Sequence, residues 1–400
     1  MVAVGIRDSR YPVRYRARAK VSGGAVLQSV KGLVAELRAR PRWLISTAVV
    51  AVAVGVAVAA FALGSGSKKP AAAAPAPHAA TPPVKPKPKP QAVRPRAITC
   101  PLTGVPARAV RGRPALLVKI GNEPGPARPQ SGLNEADVVY DTPAEGFIMR
   151  YMAVYQCSDA SRIGPLRSVR WVDYHLAPQF GTPILAFAGG IDPNVQAVAT
   201  MPGIAGANVL AGQQSAGYRT SDRLPPDNLY SSTTALYGLY PQRVQPPNPV
   251  FRFSRALPAG AAALASAELR FSGGTDVVWQ WSPATHSWLH TYAGSPDVDV
   301  LTQQPVSATN VVVQVVSYSI GPYIESTGGS GDVQSETTGT GGGYLMRDGL
   351  YLPVVWHRAG VNGAMTLTDA RGRPVALAPG RTWIELMTTT QAANGIHFTP

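Results

Sequence analysis

The sequence predicts one N-terminal transmembrane helix, an α/β subdomain with a mixed sheet, and then a β-rich subdomain. Three observations lead there. Residues 43–63 are apolar and uncharged, residues 64–99 are low in complexity, and the pattern changes near residue 245 from interleaved strands and helices to strands. The 400 residues therefore divide into a basic tail (1–42), a span (43–63), a linker (64–99), an α/β subdomain (100–245) and a β-rich subdomain (246–400).

The span, WLISTAVVAVAVGVAVAAFAL, has 21 residues, enough to cross a hydrocarbon core as a helix, and Trp43 suits the interface. A cleaved secretory signal has a shorter apolar run and no 42-residue basic leader. Arg38, Arg40 and Arg42 precede the span and Lys68 and Lys69 follow it. The bias puts the N-terminus in the cytoplasm and everything after residue 63 outside, as a single-pass protein of the cell membrane. The linker runs from Gly-Ser through Ala-Pro to KPKPKP. Alternating proline favours an extended chain of about 3.1 Å per residue, a solvated spacer reaching up to about 100 Å.

The formal net charge of +15 suggests nucleic acid until it is divided by region. The tail holds ten Lys and Arg against Asp8 and Glu36, and residues 43–99 hold seven against no acid. Residues 100–400 hold twenty of each sign. A neutral module has no broad attraction for a phosphate backbone, so nucleic acid is set aside as a partner.

Within the module, ALLVKI (115–120), VVYD (138–141), IMRYMAVY (148–155) and ILAFA (184–188) read as strands. A helix is expected to start near Pro165, with Leu166, Val169, Val172 and Leu176 as its buried stripe, and a second at Ser231-Ser232. Beyond residue 246, VVWQWSPATHSWLHTY (277–292) reads as two strands around a Ser-Pro turn. Residues 311–319, 351–356, 365–368 and 382–387 continue the strand pattern, and 327–343 reads as a flexible Gly/Ser/Thr loop. The module's two cysteines, Cys100 and Cys157, form either a disulfide, as an oxidising compartment allows, or two separate buried thiols.

The densest constellation of charge lies in residues 127–175: Arg128, Arg150, Arg162, Arg167 and Arg170, with Asp137, Asp141, Glu145 and Asp173. On the expected helix Arg167 and Arg170 are neighbours and Tyr174 extends their row. Two guanidinium forks near a helix N-terminus suit a phosphate or carboxylate. Arg128, Arg150, Arg167, Arg170 and Tyr174 are thus anion-binding candidates, with Asp137, Glu145 and Asp173 as acidic partners. A buried Arg150 needs a carboxylate, and Asp137 or Glu145 is nearest in sequence. The competing reading is a structural ion-pair network. Standard catalytic templates are missing: no GxSxG elbow and no HExxH. His286 and His290, four apart on a strand, are about 13 Å apart, too far for one metal. No cofactor or metal is expected from the residues. Trp279, Trp281, Trp288 and Tyr292 read as strand core before they read as a carbohydrate platform.

CPLTGVPA (100–107), ARPQSGLNEADVVYD (127–141), EGFIMRYMAVY (145–155), RIGPLRSVR (162–170), DNLYSS (227–232), NVVVQVV (310–316) and LTDARGRPVALAPGRTWIEL (367–386) together resemble the YerB-type bacterial lipoprotein family. The resemblance covers residues 100–387. It implies a membrane-tethered extracytoplasmic protein of two adjacent subdomains and no assigned activity. The sequence departs from the family's pattern in its helical anchor and at two histidines: Pro226-Asp227 replaces Pro-His, and Phe187-Ala188-Gly189-Gly190 replaces His-Ala-Gly-Gly. Both changes remove support for a histidine mechanism. In layout alone, the Ala-Asp, strand and Arg-rich turn also resemble the LytR-CpsA-Psr phosphotransferases.

Two functions follow as expectations. The first is a non-catalytic cell-envelope module that binds an anionic wall polymer or an envelope protein. The second is a phosphotransferase-like enzyme acting on a polyprenyl-phosphate-linked precursor. In it the arginines would hold phosphates and Asp137 or Glu145 would hold a divalent metal.

Overall fold

Alternation of side chains along three neighbouring strands sets the architecture. Leu116–Ile120 (β1), Val138–Pro143 (β2) and Met149–Tyr155 (β3) are buried on both faces. A computed structural model describes residues 97–271, 275–325 and 329–400. The basic tail, the span at 43–63 and the linker as far as residue 96 lie outside the described residues. Among those described, no helix is long and apolar enough to cross a membrane.

Ile184–Phe187 (β4) and Ala205–Asn208 (β5) complete the first half's share of the sheet. Ser266–Leu269 (β6), Val277–Ser282 (β7) and Ser287–Tyr292 (β8) belong to a second sheet. Asn310–Val316 (β9) is followed by a two-stranded arm, Tyr318–Ile324 (β10) and Gly331–Ser335 (β11). Gly339–Arg347 (β12), Leu350–Arg358 (β13), Thr366–Thr368 (β14), Pro374–Val375 (β15), Thr382–Thr388 (β16) and Ile396–Thr399 (β17) follow. The long sheet has the order β15-β14-β13-β12-β9-β16-β2-β3-β1-β4-β5, so strands from both halves of the chain form one mixed sheet. They meet where β16 lies parallel to β2. The C-terminal half is β-rich, as expected.

The two faces of the long sheet bury different partners. Leu116, Val118, Ile120, Val139, Tyr151 and Ala153 pack with Trp279 and Trp288 of the second sheet. Leu117, Tyr140, Met152 and Val154 pack with Val172 and Leu176 of helix Trp171–Leu176 (α1) and Val198 of helix Asp192–Thr200 (α2). Each strand thus alternates between two apolar layers. Trp279 and Trp288 are fully buried core, as their strand pattern predicts.

Two expectations about local structure are corrected. The helix expected at Pro165 begins only at Trp171. The amides of Leu166, Arg167 and Val169 bond instead to the carbonyls of Leu229, Lys119 and Gly189, so long-range pairing takes the donors a helix would use. Leu166, Val169, Val172 and Leu176 are buried all the same. The loop expected at 327–343 is largely strand, β11 and the start of β12. Its glycines permit close approach: a Cβ at Gly341 would meet the Trp356 ring at 2.6 Å, and one at Gly343 would collide with the Val313 carbonyl. The helix expected at Ser231-Ser232 is present as Thr233–Gly238 (α3), with the Ser232 hydroxyl capping Ala235 N.

Candidate functional site

β1 and β2 both run antiparallel to β3, so they are parallel to each other, and their carboxyl ends share one edge with the start of β3. Ligands of open α/β sheets bind at that edge. Here it carries a chain of alternating charges on the face that packs against α1. Arg167 bonds Glu123 through Nε at 3.2 Å and also through Nη2. Arg150 Nη2 donates to Glu123 Oε1 and to Glu145 Oε1, each at 2.9 Å. Arg170 donates to Glu145 from Nε and Nη2, each at 2.6 Å. Glu325 Oε2 lies 3.1 Å from Arg170 Nε. The ladder therefore reads Arg167–Glu123–Arg150–Glu145–Arg170–Glu325.

Its ends differ. The Arg167 and Glu123 side chains are 17% and 15% exposed, whereas those of Arg170 and Glu325 are 4% and 1%. The ladder opens to solvent at its Arg167–Glu123 end. Burial raises the Glu123 and Glu145 carboxyls, but the neighbouring guanidinium groups outweigh it and hold both below the usual range. On Glu325 the balance goes the other way: burial, with the neighbouring charges of Asp332 and Glu145, pushes it up to about 7 against the pull of Arg170. Arg150 Nε and Nη1 are buried and have no hydrogen-bond partner in the protein.

The remaining sequence candidates divide. Glu145, not Asp137, is the carboxylate that meets Arg150. Asp137 sits at the opposite end of β2, where its carboxylate accepts the amides of Gln156 and Cys157 at 2.6 and 2.8 Å and the Ser158 hydroxyl at 3.2 Å. Beside it Cys100 and Cys157 form a disulfide, with Cα atoms 6.0 Å apart. Asp173 pairs with Lys119 Nζ at 2.7 Å and accepts the Arg170 amide at 2.7 Å. Tyr174 is buried, its hydroxyl 3.0 Å from Asn194 Oδ1. Asn194 Nδ2 in turn donates to Glu325, so Tyr174 joins the ladder through Asn194. Arg167 is off the helix, and Arg170 is its N-cap. The row expected along one helix is replaced by Arg167 and Arg170 on the extended stretch before α1, meeting Arg150 of β3 through Glu123 and Glu145.

Arg128 lies on the other face of the sheet. It contacts Asp297 at 2.7 Å and stacks 3.7 Å over the Tyr292 ring. Asp297 also holds His290 Nδ1 at 2.9 Å, in a layer with Trp279 and Trp383. Asp141 and Glu385 occupy the same register on β2 and β16 and are both fully buried. Burial raises both carboxyls, and for Asp141 the charge of Glu385 adds to it. Trp279 Nε1 donates to Glu385 at 2.8 Å.

Sequence reasoning passed over Lys119, Glu123, Asn194, Glu325 and Glu385. Lys119 and Glu385 carried a signal, a lone charge inside an apolar strand (LLVKI, TWIELMT). Such a residue needs a buried partner. Glu325 and Asn194 reach the ladder from distant segments and carried none.

As a donor set the ladder suits an oxyanion, for which guanidinium groups supply planar pairs of N–H donors. It does not suit a divalent metal, because both Glu145 oxygens are taken by guanidinium groups and Asp137 is bound by amides elsewhere.

Fold and site together define a module of two main sheets with a ladder of arginines and carboxylates at one edge. The family described as "Protein of unknown function (DUF3048)" matches it twice, with its N-terminal domain over residues 102–245 and its C-terminal domain over residues 267–384. The chain belongs to this family. It is similar to YerB of Bacillus subtilis (strain 168), named as a candidate lipoprotein, with 27% identity over 307 residues, covering 75% of this chain and 89% of the relative. The crystal structure of YerB protein from Bacillus subtilis matches with a TM-score of 0.65 and 24% identity, covering 76% of this chain and 100% of that chain. That likeness establishes a shared fold.

Proposed function

We propose that this chain is a membrane-tethered, extracytoplasmic, non-catalytic module that binds an anionic component of the cell envelope at the arginine ladder. The observation that carries the reading is the convergence of Arg167 and Arg170, on the stretch leading into α1, with Arg150 of β3 at the carboxyl edge of the sheet. There Arg150 Nε and Nη1 lack a protein partner and Arg167 faces solvent. Buried donors without partners are costly, so a site that keeps them gains when an acceptor arrives.

The uncharged run 43–63 supports tethering. The name of the Bacillus relative points the same way. Both cysteines of this sequence lie in the disulfide, which supports the span rather than a lipidated cysteine as the tether. Both oxygens of Glu145 are taken by guanidinium groups, which favours binding over phosphoryl transfer.

The test is a thermal-shift screen of the full chain with pyrophosphate, polyprenyl phosphates, anionic glycopolymers and peptidoglycan fragments. A ligand at 100 times its Kd stabilises the fold by about 2.7 kcal/mol. A shift abolished by Arg167→Ala supports the reading, and no shift with any of these anions rejects it.

A further inference from the structure

The arm β10–β11 continues the β9–β12 hairpin beyond its bend. β9 and β12 pair as neighbours in the long sheet, and the Glu336 amide bonds the Ser317 carbonyl at 2.8 Å where the arm departs. Because β9 runs parallel to β16, and β16 to β2, the arm leaves from the same edge that holds the ladder. It folds over that edge and delivers Glu325 from just beyond the end of β10 to Arg170.

Three features mark this contact as replaceable. Glu145 already takes the directed hydrogen bonds from Arg170 Nε and Nη2. Glu325 Oε2 has the ionic contact alone, with no hydrogen-bond partner. Second, Glu325 stands beside another buried carboxylate, Asp332, so its own arm disfavours its charge. Third, little apolar burial holds the arm down. Ile320, Tyr323 and Ile324 face solvent, Tyr318 makes an edge contact with Phe147 at 5.3 Å, and Val333 is the one fully buried apolar side chain among the arm's described residues. Elements with few buried apolar contacts open at low free energy.

We propose that Arg170 and Asn194 form an oxyanion-receiving position that the chain's own Glu325 fills, and that the β10–β11 arm is a latch an external phosphate or carboxylate must displace. The inference rests on the binding function proposed above. It adds which position is taken last and what competes for it. The incoming oxyanion accepts from the Asn194 amide, as Glu325 does, and takes over the ionic contact with Arg170. A ligand carrying two anionic groups would span Arg167 and Arg170, one at the open end and one under the arm.

The charged groups facing Glu325 are Arg170, Asp332, Glu145 and Arg150, with Asn194 as its neutral donor. Removing its charge leaves Arg170 with Glu145 as the carboxylate its guanidinium bonds and Asp173 as a further acidic neighbour.

The test is titration calorimetry of the full chain with inorganic pyrophosphate and, separately, with malonate, for wild type, Glu325→Ala, Glu336→Gln and Glu325→Ala/Arg170→Ala. Glu336 is an exposed acid at the base of the arm and controls for net charge. The proposal expects Glu325→Ala to bind at least one probe about tenfold more tightly, Glu336→Gln to change by less than about twofold, and the double variant to lose the gain. The stronger probe identifies the oxyanion class. If wild type binds and Glu325→Ala binds no better, the latch is wrong while the binding function stands. If neither binds either probe, both are wrong. A second measurement does not depend on variants: amide hydrogen exchange in residues 331–335 of wild type should rise about tenfold at saturating ligand, and unchanged exchange overturns the latch.

Discussion

Glu145 grips Arg170 with both carboxylate oxygens, Oε2 to Nε and Oε1 to Nη2, each at 2.6 Å, and the same Oε1 accepts from Arg150. One buried carboxylate therefore neutralises two buried guanidinium groups on different segments. Removing one partner of such a group leaves uncompensated charge in a low-dielectric site, at about 3–5 kcal/mol. Glu145→Gln should lower the denaturant-unfolding free energy by that order. Glu123→Gln, at the solvent-exposed end, should cost less. Equal losses for the two would contradict the buried-to-open gradient of the ladder.

Lys119 and Asp173 are both fully buried and 2.7 Å apart, with Thr142 as the other hydrogen-bond partner of the lysine. Burial lowers the Lys119 pKa, and Asp173 opposes that. Lys119→Met and Asp173→Leu should each destabilise by about 3–5 kcal/mol, because each strands the other charge. The double variant should recover most of the loss, to within about 1–2 kcal/mol of wild type, the residue being the lost cap on the Arg170 amide. Additive losses in a double-mutant cycle would mean the two residues do not act as a pair.

Asp141 and Glu385 are two fully buried carboxyls in register on β2 and β16, inside the long sheet. Burial holds the Glu385 carboxyl up to about 7, well above its usual value. A carboxyl with a raised folded pKa releases its proton on unfolding, so its stabilising contribution is complete below about 4.5 and is lost as pH rises through about 7. The stability of wild type relative to Glu385→Gln should therefore fall between pH 5 and pH 8, by on the order of 1–3 kcal/mol. Unfolding midpoints of both proteins at those pH values decide it. A difference that does not vary with pH would show that the pair does not titrate in this range.

Much of this was legible from residue pattern. Short apolar runs located β1 to β4, aromatic residues around a turn located the pair β7–β8, and proximity in sequence narrowed the partner of Arg150 to Asp137 or Glu145. The start of α1 was not legible. Proline at 165 and a helical stripe both favour an earlier start, yet Leu166 and Arg167 are drawn into bonds with Leu229 and Lys119 that only the assembled fold supplies. The end of the ladder was hidden for a related reason. Glu325 is 155 residues from Arg170 in sequence, and local pattern carries no trace of a contact closed by an arm.

The Cys100–Cys157 disulfide closes a loop of 57 residues and ties the module's first residues to the end of β3. Chain-entropy arguments give such a crosslink about 4 kcal/mol. Cys100→Ser/Cys157→Ser should lose about that much in denaturant unfolding and keep its anion affinity, since Asp137 and the disulfide lie at the edge away from the ladder. Loss of binding in a folded double variant would place the site elsewhere.

The central claim is that Arg150, Arg167 and Arg170 receive an anion, and guanidinium NMR reads it directly. Spectra of the arginine Nε–Hε groups in the full chain, assigned through Arg→Lys variants, would be followed as pyrophosphate is added, with phosphate release monitored in the same sample. The account predicts saturable shifts of the Arg150, Arg167 and Arg170 signals, a still Arg128 signal and no phosphate release. Unmoved signals from all three would contradict the binding site, and phosphate release would contradict the non-catalytic function.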